Sequence, residues 1–196
     1  MSSTAKVFAI VCLVVATFGY SIYEKKKFER LDQEAAMNPI LQQLPQIELT
    51  NLYTKEQIDN TSLFNGARGA MVHFWGTWCG PCEAELPEFL DLAKHLQDQG
   101  VNFLLLAVND DELKIRKFLK RFGDLPSNVM IAHDKEGKYL PIFGTIKVPE
   151  TYLFSKDGKN LNKFVGPQDW KLQAYQTRIL NYLSKNSSEV KEIETH

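Results

Sequence analysis

The most constraining feature of this chain is an apolar run that breaks into a helical pattern and returns to a second apolar run. Ala70 to Trp75 (AMVHFW) reads as a buried strand, and Gly76 to Pro81 punctuates it. From Cys82 to Gln99 the apolar residues Leu86, Phe89, Leu90, Ala93 and Leu96 recur at helical spacing, until Gly100 stops the pattern. Val101 to Val108 (VNFLLLAV) is almost wholly apolar, the mark of a central parallel strand. Around this unit the sequence predicts an early strand at Ile47–Leu52 and an irregular polar stretch at Asn51–Arg68. A second amphipathic helix follows at Glu112–Phe122, behind the capping residues Asn109-Asp110-Asp111, and then a short strand at Val129–His133. Thr151–Phe154 and Leu161–Val165 flank Lys156-Asp157-Gly158-Lys159, a hairpin signal, and Trp170–Leu183 is a C-terminal helix. The order implies an α/β fold of three layers, with parallel strands and an antiparallel edge.

The length of 196 residues leaves room for one core-bearing domain, expected over residues 45–183. Val7 to Tyr23 carries no charge and suits a signal-anchor that stays attached, giving an anchor over 1–23 and a polar stalk over 24–44. A cleaved signal peptide is the alternative, with Gly19 and Ser21 as small residues near a cut. Cys12 lies inside the apolar run and reads as a small hydrophobe. Residues 184–196 form a polar tail expected to lack regular structure. A net charge of −1, without a long basic run, argues against nucleic acid as a partner.

Cys79-Gly80-Pro81-Cys82 carries the chemistry. A cysteine at a helix start meets unpaired backbone N–H groups and the positive end of the helix dipole, and both favour thiolate. Thiolate is the attacking species in disulfide exchange. The second cysteine, in the first turn, is near enough to attack a mixed disulfide. Pro81 is tolerated there because a first-turn N–H has no helical partner. A purely structural disulfide would close a tiny loop, worth about 2 kcal/mol at best. Zinc needs two further ligands, and His73, His95, His133 and His196 form no second pair. Covalent haem would need a histidine after Cys82, where Glu83 stands.

Phe74 to Cys82 (FWGTWCGPC) resembles the active-site signature of the thioredoxin superfamily. Glu83-Ala84-Glu85-Leu86-Pro87, and Val148-Pro149-Glu150-Thr151 ahead of an apolar strand, are similar to its membrane-anchored TlpA, ResA and CcmG branch. The resemblance spans about Pro45 to Leu183 and implies a thioredoxin-like three-layer sandwich with a central mixed sheet behind an N-terminal membrane anchor. It further implies that Cys79 attacks, that Cys82 resolves and that Gly80 and Pro81 open the active-site helix. Pro149 would be a cis proline facing the dithiol, and the backbone of Val148 would pair with an extended substrate segment. Glu85, about one turn after Cys82, would exchange a proton with the resolving thiol, and Trp78 would touch substrate. Glu83 and Glu88 read as solvated acids near the helix start. His73 departs from thioredoxin, which has a buried aspartate at that place, and reads as a core histidine bonded to a backbone group.

The activity implied is thiol–disulfide oxidoreduction outside the cytoplasm, in a periplasmic setting. Disulfides would be reduced, apocytochrome c being one substrate, with a membrane protein as electron donor. Lys25, Lys26, Lys27 and Arg30 lie beyond the apolar run and by charge alone would place the stalk in the cytoplasm, so the outside location rests on the resemblance. A disulfide-forming oxidant of the same fold and a dithiol metal-delivery module are the alternatives. No cofactor beyond the Cys79–Cys82 disulfide and no resident metal are expected.

Overall fold

The computed structural model describes Thr17, Gly19, Tyr20, Ile22 and residues 41–194, with side chains described to Asn186. The rest of the expected anchor, including Cys12, and the stalk up to residue 40 lie outside the described residues. Among the described residues no helix is long and apolar enough to cross a membrane. The chain divides into units Met1–Ile40 and Leu41–His196, and everything below concerns the second.

Its elements are β1 (Glu48–Thr50), β2 (Gln57–Asp59), α1 (Asn60–Leu63), β3 (Gly69–Trp75), α2 (Gly80–Leu96), β4 (Val101–Val108) and α3 (Glu112–Leu119). After these come β5 (Val129–Asp134), α4 (Tyr139–Phe143), β6 (Glu150–Ser155), β7 (Asn160–Val165) and α5 (Gln173–Glu194). Five strands form one sheet in the order β5-β4-β3-β6-β7, and β1 and β2 pair separately. β3, β4 and β5 run parallel, whereas β6 and β7 are antiparallel. This is a thioredoxin-like α/β fold with a central mixed sheet.

β3 sits mid-sheet with every residue buried, which is why its sequence is continuously apolar save for His73. Successive side chains alternate between the two faces. Met71 and Trp75 join the core under α2, α3 and α5, while Ala70, Val72 and Phe74 join the core beneath β1, β2, α1 and α4. Phe89 of α2 meets Phe103, Trp170 and His73 ring to ring, so truncating it to alanine would cost about 3–5 kcal/mol. Gly69 begins β3 where the chain passes close to α5: a Cβ there would collide with Leu183 and lie 2.8 Å from the Phe154 carbonyl oxygen.

The structure departs from the sequence reading in four places. The stretch read as irregular, Asn51–Arg68, holds β2 and α1, and a capping box between Asp59 and Ser62 starts α1. α4 was not anticipated, since its YLPIF sequence is too short to show a period. The C-terminal helix begins at Gln173 rather than Trp170 and runs to Glu194, through the tail expected to be irregular. No glycine or proline interrupts that tail, and Asn186 is buried with its amide donating to Asp157 Oδ1 at 3.2 Å. At the other end, residues 41–44, read as the end of a stalk, bond to the β6–β7 hairpin. Leu44 N–H donates to the Gly158 carbonyl, and Asn160 N–H donates to that of Gln42.

Candidate active site

Cys79 caps α2 in an extended backbone conformation, and its Sγ accepts the N–H of Cys82 at 3.2 Å. Cys79 and Cys82 are joined as a disulfide with an S–S distance of 2.08 Å. Cys79 is 6% exposed and Cys82 is fully buried, so only the first sulfur has a route to solvent. An N–H aimed at Sγ favours an anionic sulfur once the bond is reduced. Pro81 lies in the first turn, where its missing N–H removes no helical bond.

The loop before α2 is held from a neighbouring strand end. Asp110, just past β4, accepts the Thr77 N–H at 2.6 Å and the Thr77 hydroxyl at 2.9 Å. Its own carbonyl lies 2.9 Å from His133 Nε2. Trp78 is 56% exposed, yet its indole N–H donates to the Val108 carbonyl at 3.0 Å. Gly76 leaves room for that indole, since a Cβ there would sit 2.5 Å from Trp78 Nε1.

The second chain segment at the site is Val148–Pro149, whose peptide bond is cis. The Val148 carbonyl oxygen lies 3.8 Å from Cys79 Sγ. A disulfide sulfur carries no proton, so this is a contact here and an S–H···O geometry only in the dithiol. Ile146, 73% exposed, precedes this segment.

Glu85 points inward from the same face of α2 as Cys82 and is 4% exposed. Its Oε2 accepts the Gln168 N–H at 2.8 Å. Burial pushes its carboxyl up to about 7, opposed by the Gln168 N–H and the Trp170 indole and aided by Glu88. Across from it, His73 Nε2 lies 3.6 Å from Oε1, and neither atom has a hydrogen-bond partner. His73 Nδ1 is 2.8 Å from Thr151 Oγ1, so the backbone partner expected for this histidine is a side-chain hydroxyl instead. Complete burial lowers the imidazole to about 3. Glu83 faces Arg121 at 3.9 Å and Glu88 pairs with Lys171 at 2.8 Å, both at the surface.

A buried strand that ends on a capped cysteine pair, with a backbone carbonyl beside the first sulfur, is built for thiol–disulfide exchange on a thioredoxin-like frame. A model of the Redoxin family matches residues 41–179, and the chain belongs to that family as a ResA- and CcmG-like member of the thioredoxin superfamily. Thiol-disulfide oxidoreductase ResA of Geobacillus thermodenitrificans is 33% identical over 150 residues, covering 76% of this chain and 80% of the relative. The ResA of Bacillus cereus is 28% identical over 172 residues, covering 86% and 92%. Among solved structures, a thiol:disulfide interchange protein of the thioredoxin family from Chlorobium tepidum matches with a TM-score of 0.58 at 23% identity, over 72% of this chain and 96% of that one. A secreted thiol-disulfide isomerase from Corynebacterium glutamicum matches with a TM-score of 0.61 at 20% identity, over 72% and 85%. The chain is thus a thiol–disulfide oxidoreductase by class, and that class implies disulfide-containing partners.

The structure brings Cys79, Gly80, Pro81, Cys82, Glu85, Trp78, Val148 and Pro149 to one end of the sheet. Sequence reasoning missed Asp110, which it took only as capping chemistry, and Gln168 and Trp170 as neighbours of Glu85. A signal for Asp110 existed: β3 and β4 are parallel, so the residues after each strand meet at the same end. Nothing local marks Gln168 or Trp170, because their approach to α2 depends on how the chain turns after β7.

Proposed function

We propose that this protein reduces disulfides outside the cytoplasm, tethered by residues 1–23 through a stalk that ends before residue 41, with residues 41–194 as the working domain. The observation that carries the reading is the capped, barely exposed Cys79 beside the Val148 carbonyl, with Cys82 sealed behind it. The Cys79 thiolate attacks one sulfur of a substrate disulfide, forming a mixed disulfide and expelling one substrate thiolate. The Cys82 thiol passes its proton to the Glu85 carboxylate and attacks the Cys79 sulfur, expelling the second substrate thiolate. Two electrons have then reached the substrate, and the Cys79–Cys82 disulfide is reset by a dithiol of a membrane partner, which becomes the disulfide. Trp78 and the Val148–Pro149 edge hold the extended substrate segment, which pairs as an added strand.

Several points support the outside location and the reducing direction. The matched relatives include a secreted disulfide isomerase, the apolar Val7–Tyr23 run suits an anchor, and Gly80-Pro81 resembles the reducing members of the superfamily. Apocytochrome c is the proposed substrate. The test is the reduction potential of the purified chain, together with a Cys82→Ala trap in cells. A potential near the thioredoxin value of about −270 mV fits a reductase, and one near −120 mV makes the protein an oxidant. Mixed disulfides with apocytochrome c identify the substrate, and their absence from the trap removes it. A reporter fused after Leu183 reads the topology.

A further inference from the structure

We infer that His73 is a positioning residue for Glu85: a locked imidazole that donates to the carboxylate when Glu85 is ionised and accepts from the carboxyl when it is protonated, with the Thr151 hydroxyl reversing its own role to match. This rests on the proposed proton-holding role of Glu85 and deepens it.

The geometry leaves few other arrangements. His73 Nε2 and Glu85 Oε1 are buried, face each other across 3.6 Å and have no hydrogen-bond partner. The Trp170 indole N–H, also buried and unpartnered, acts on the same carboxyl and favours its ionised form, but as a donor only it cannot accept the Glu85 proton. The ring cannot swing away, because it stacks on Phe89 with centroids 4.5 Å apart, and its Nδ1 is held to Thr151 Oγ1 at 2.8 Å. A neutral imidazole has one donor and one acceptor, whereas a hydroxyl can be either. Two patterns at the imidazole therefore exist. In one, Nδ1–H donates to Thr151 Oγ1 and the bare Nε2 receives the Glu85 proton. In the other, the Thr151 O–H donates to Nδ1 and Nε2–H donates to the carboxylate. The ring keeps one proton in both patterns, on Nδ1 in the first and on Nε2 in the second, so the net change is the one proton lost from Glu85. A closing movement of about half an ångström brings the contact within hydrogen-bond range.

The surroundings leave this task to His73. Facing Glu85 are His73 from β3 and Glu88 from α2, with the Gln168 N–H, Asp169, the Trp170 indole N–H and Lys171 from the segment before α5. Lys171 is engaged by Glu88 at 2.8 Å. Facing His73 are Thr151 of β6 and Glu85. Burial keeps the imidazole neutral down to about pH 3, so its response to Glu85 is a change of tautomer rather than of charge. Protons reach the other side of Glu85 through an open cavity of about 520 Å³, lined by Pro81, Ala84, Gln168 and Lys171 among others.

Isotope-labelled full-length protein tests this by NMR, with ring nitrogen signals of His73 and the carboxyl carbon of Glu85 followed against pH. The expected result is one shared midpoint, with His73 passing from the Nδ1–H to the Nε2–H tautomer as Glu85 ionises. His73→Leu removes the donor to the carboxylate and raises the proton affinity of Glu85 at least tenfold. Thr151→Val removes the acceptor for Nδ1–H; a buried N–H without a partner is the costlier defect, so the ring settles as Nε2–H and the affinity falls. Opposite shifts separate this relay from general damage to the core. A His73 tautomer constant across the Glu85 titration overturns the inference, as do shifts of one sign in both variants. If His73→Leu does not fold, the wild-type tautomers and Thr151→Val decide. Glu85→Gln with unchanged resolution of the mixed disulfide would instead sink the role of Glu85 and leave the NMR result standing.

Discussion

Two buried carboxylates sit at the same end of the sheet on opposite faces, and they are treated differently. Glu150, on the β1–β2 side, is 2% exposed and paired: its Oε2 lies 3.1 Å from Lys163 Nζ and 3.3 Å from the Tyr152 hydroxyl. The Tyr152 hydroxyl, with one proton to give, is nearer the Phe143 carbonyl at 2.8 Å, and Lys163 also donates to that of Gly144. Glu85, on the α2 side, has no cation within ion-pair distance among the described residues, its neighbour at 3.6 Å being a neutral imidazole, and one oxygen goes unbonded. A paired buried carboxylate ties chain segments together, here the loop before Pro149. A half-satisfied one keeps a proton within reach, because burial makes the charged form costly.

The comparison can be broken in stages. Glu150→Ala strands Lys163 and opens the network, and should lower unfolding free energy by about 3 kcal/mol, read by denaturant titration. If that variant is as stable as wild type, the cluster is not a tie. Glu85→Gln should slow resolution of the mixed disulfide on the order of 100-fold, about 2.7 kcal/mol in barrier, while the first attack by Cys79 is little changed. Stopped-flow traces that slow equally in both phases would contradict this division.

Stability against pH gives a signed effect. Glu85 is raised to about 7, so the folded state holds its proton more tightly and stability is lost as pH rises from about 4.5 to 7. His73 is lowered to about 3, so its contribution is present above about 6.5 and is lost as pH falls toward 3. The two slopes oppose each other between about 4.5 and 6.5. Glu85→Gln removes one of them, and its stability relative to wild type should climb over 4.5 to 7 and then level off. Denaturant midpoints across that range test this, and a flat difference would mean that Glu85 titrates normally. The smallest effect belongs to the loop clamp. Asp110→Ala deletes two bonds to Thr77 and should cost about 1–3 kcal/mol at most, with faster hydrogen exchange at the Thr77 amide.

Much of this was legible in the sequence. β3, α2 and β4 show because each has a period or a continuous apolar run long enough to read, and the Cys79–Cys82 pair falls where strand meets helix. α1, β2 and α4 are short, and their stability comes from packing that no local pattern announces. At the site, Glu85 was reachable from its spacing to Cys82 and from the family motif. Its contacts with His73, Gln168 and Trp170 were not, since they join β3, α2 and the segment before α5 through the third dimension.

The stitching of residues 41–44 to the β6–β7 hairpin has a mechanical consequence. A tug applied at residue 41 is borne first by the Asn160 side-chain amide on the Leu41 carbonyl, then by the Asn160–Gln42 and Leu44–Gly158 bonds and the Gln43 amide on the Asp157 carbonyl. That attachment lies at the far end of β6 from Pro149, about 20 Å away at the rise of an extended strand. Any load applied at residue 41 therefore enters the fold at the hairpin, a full strand length from the sulfurs.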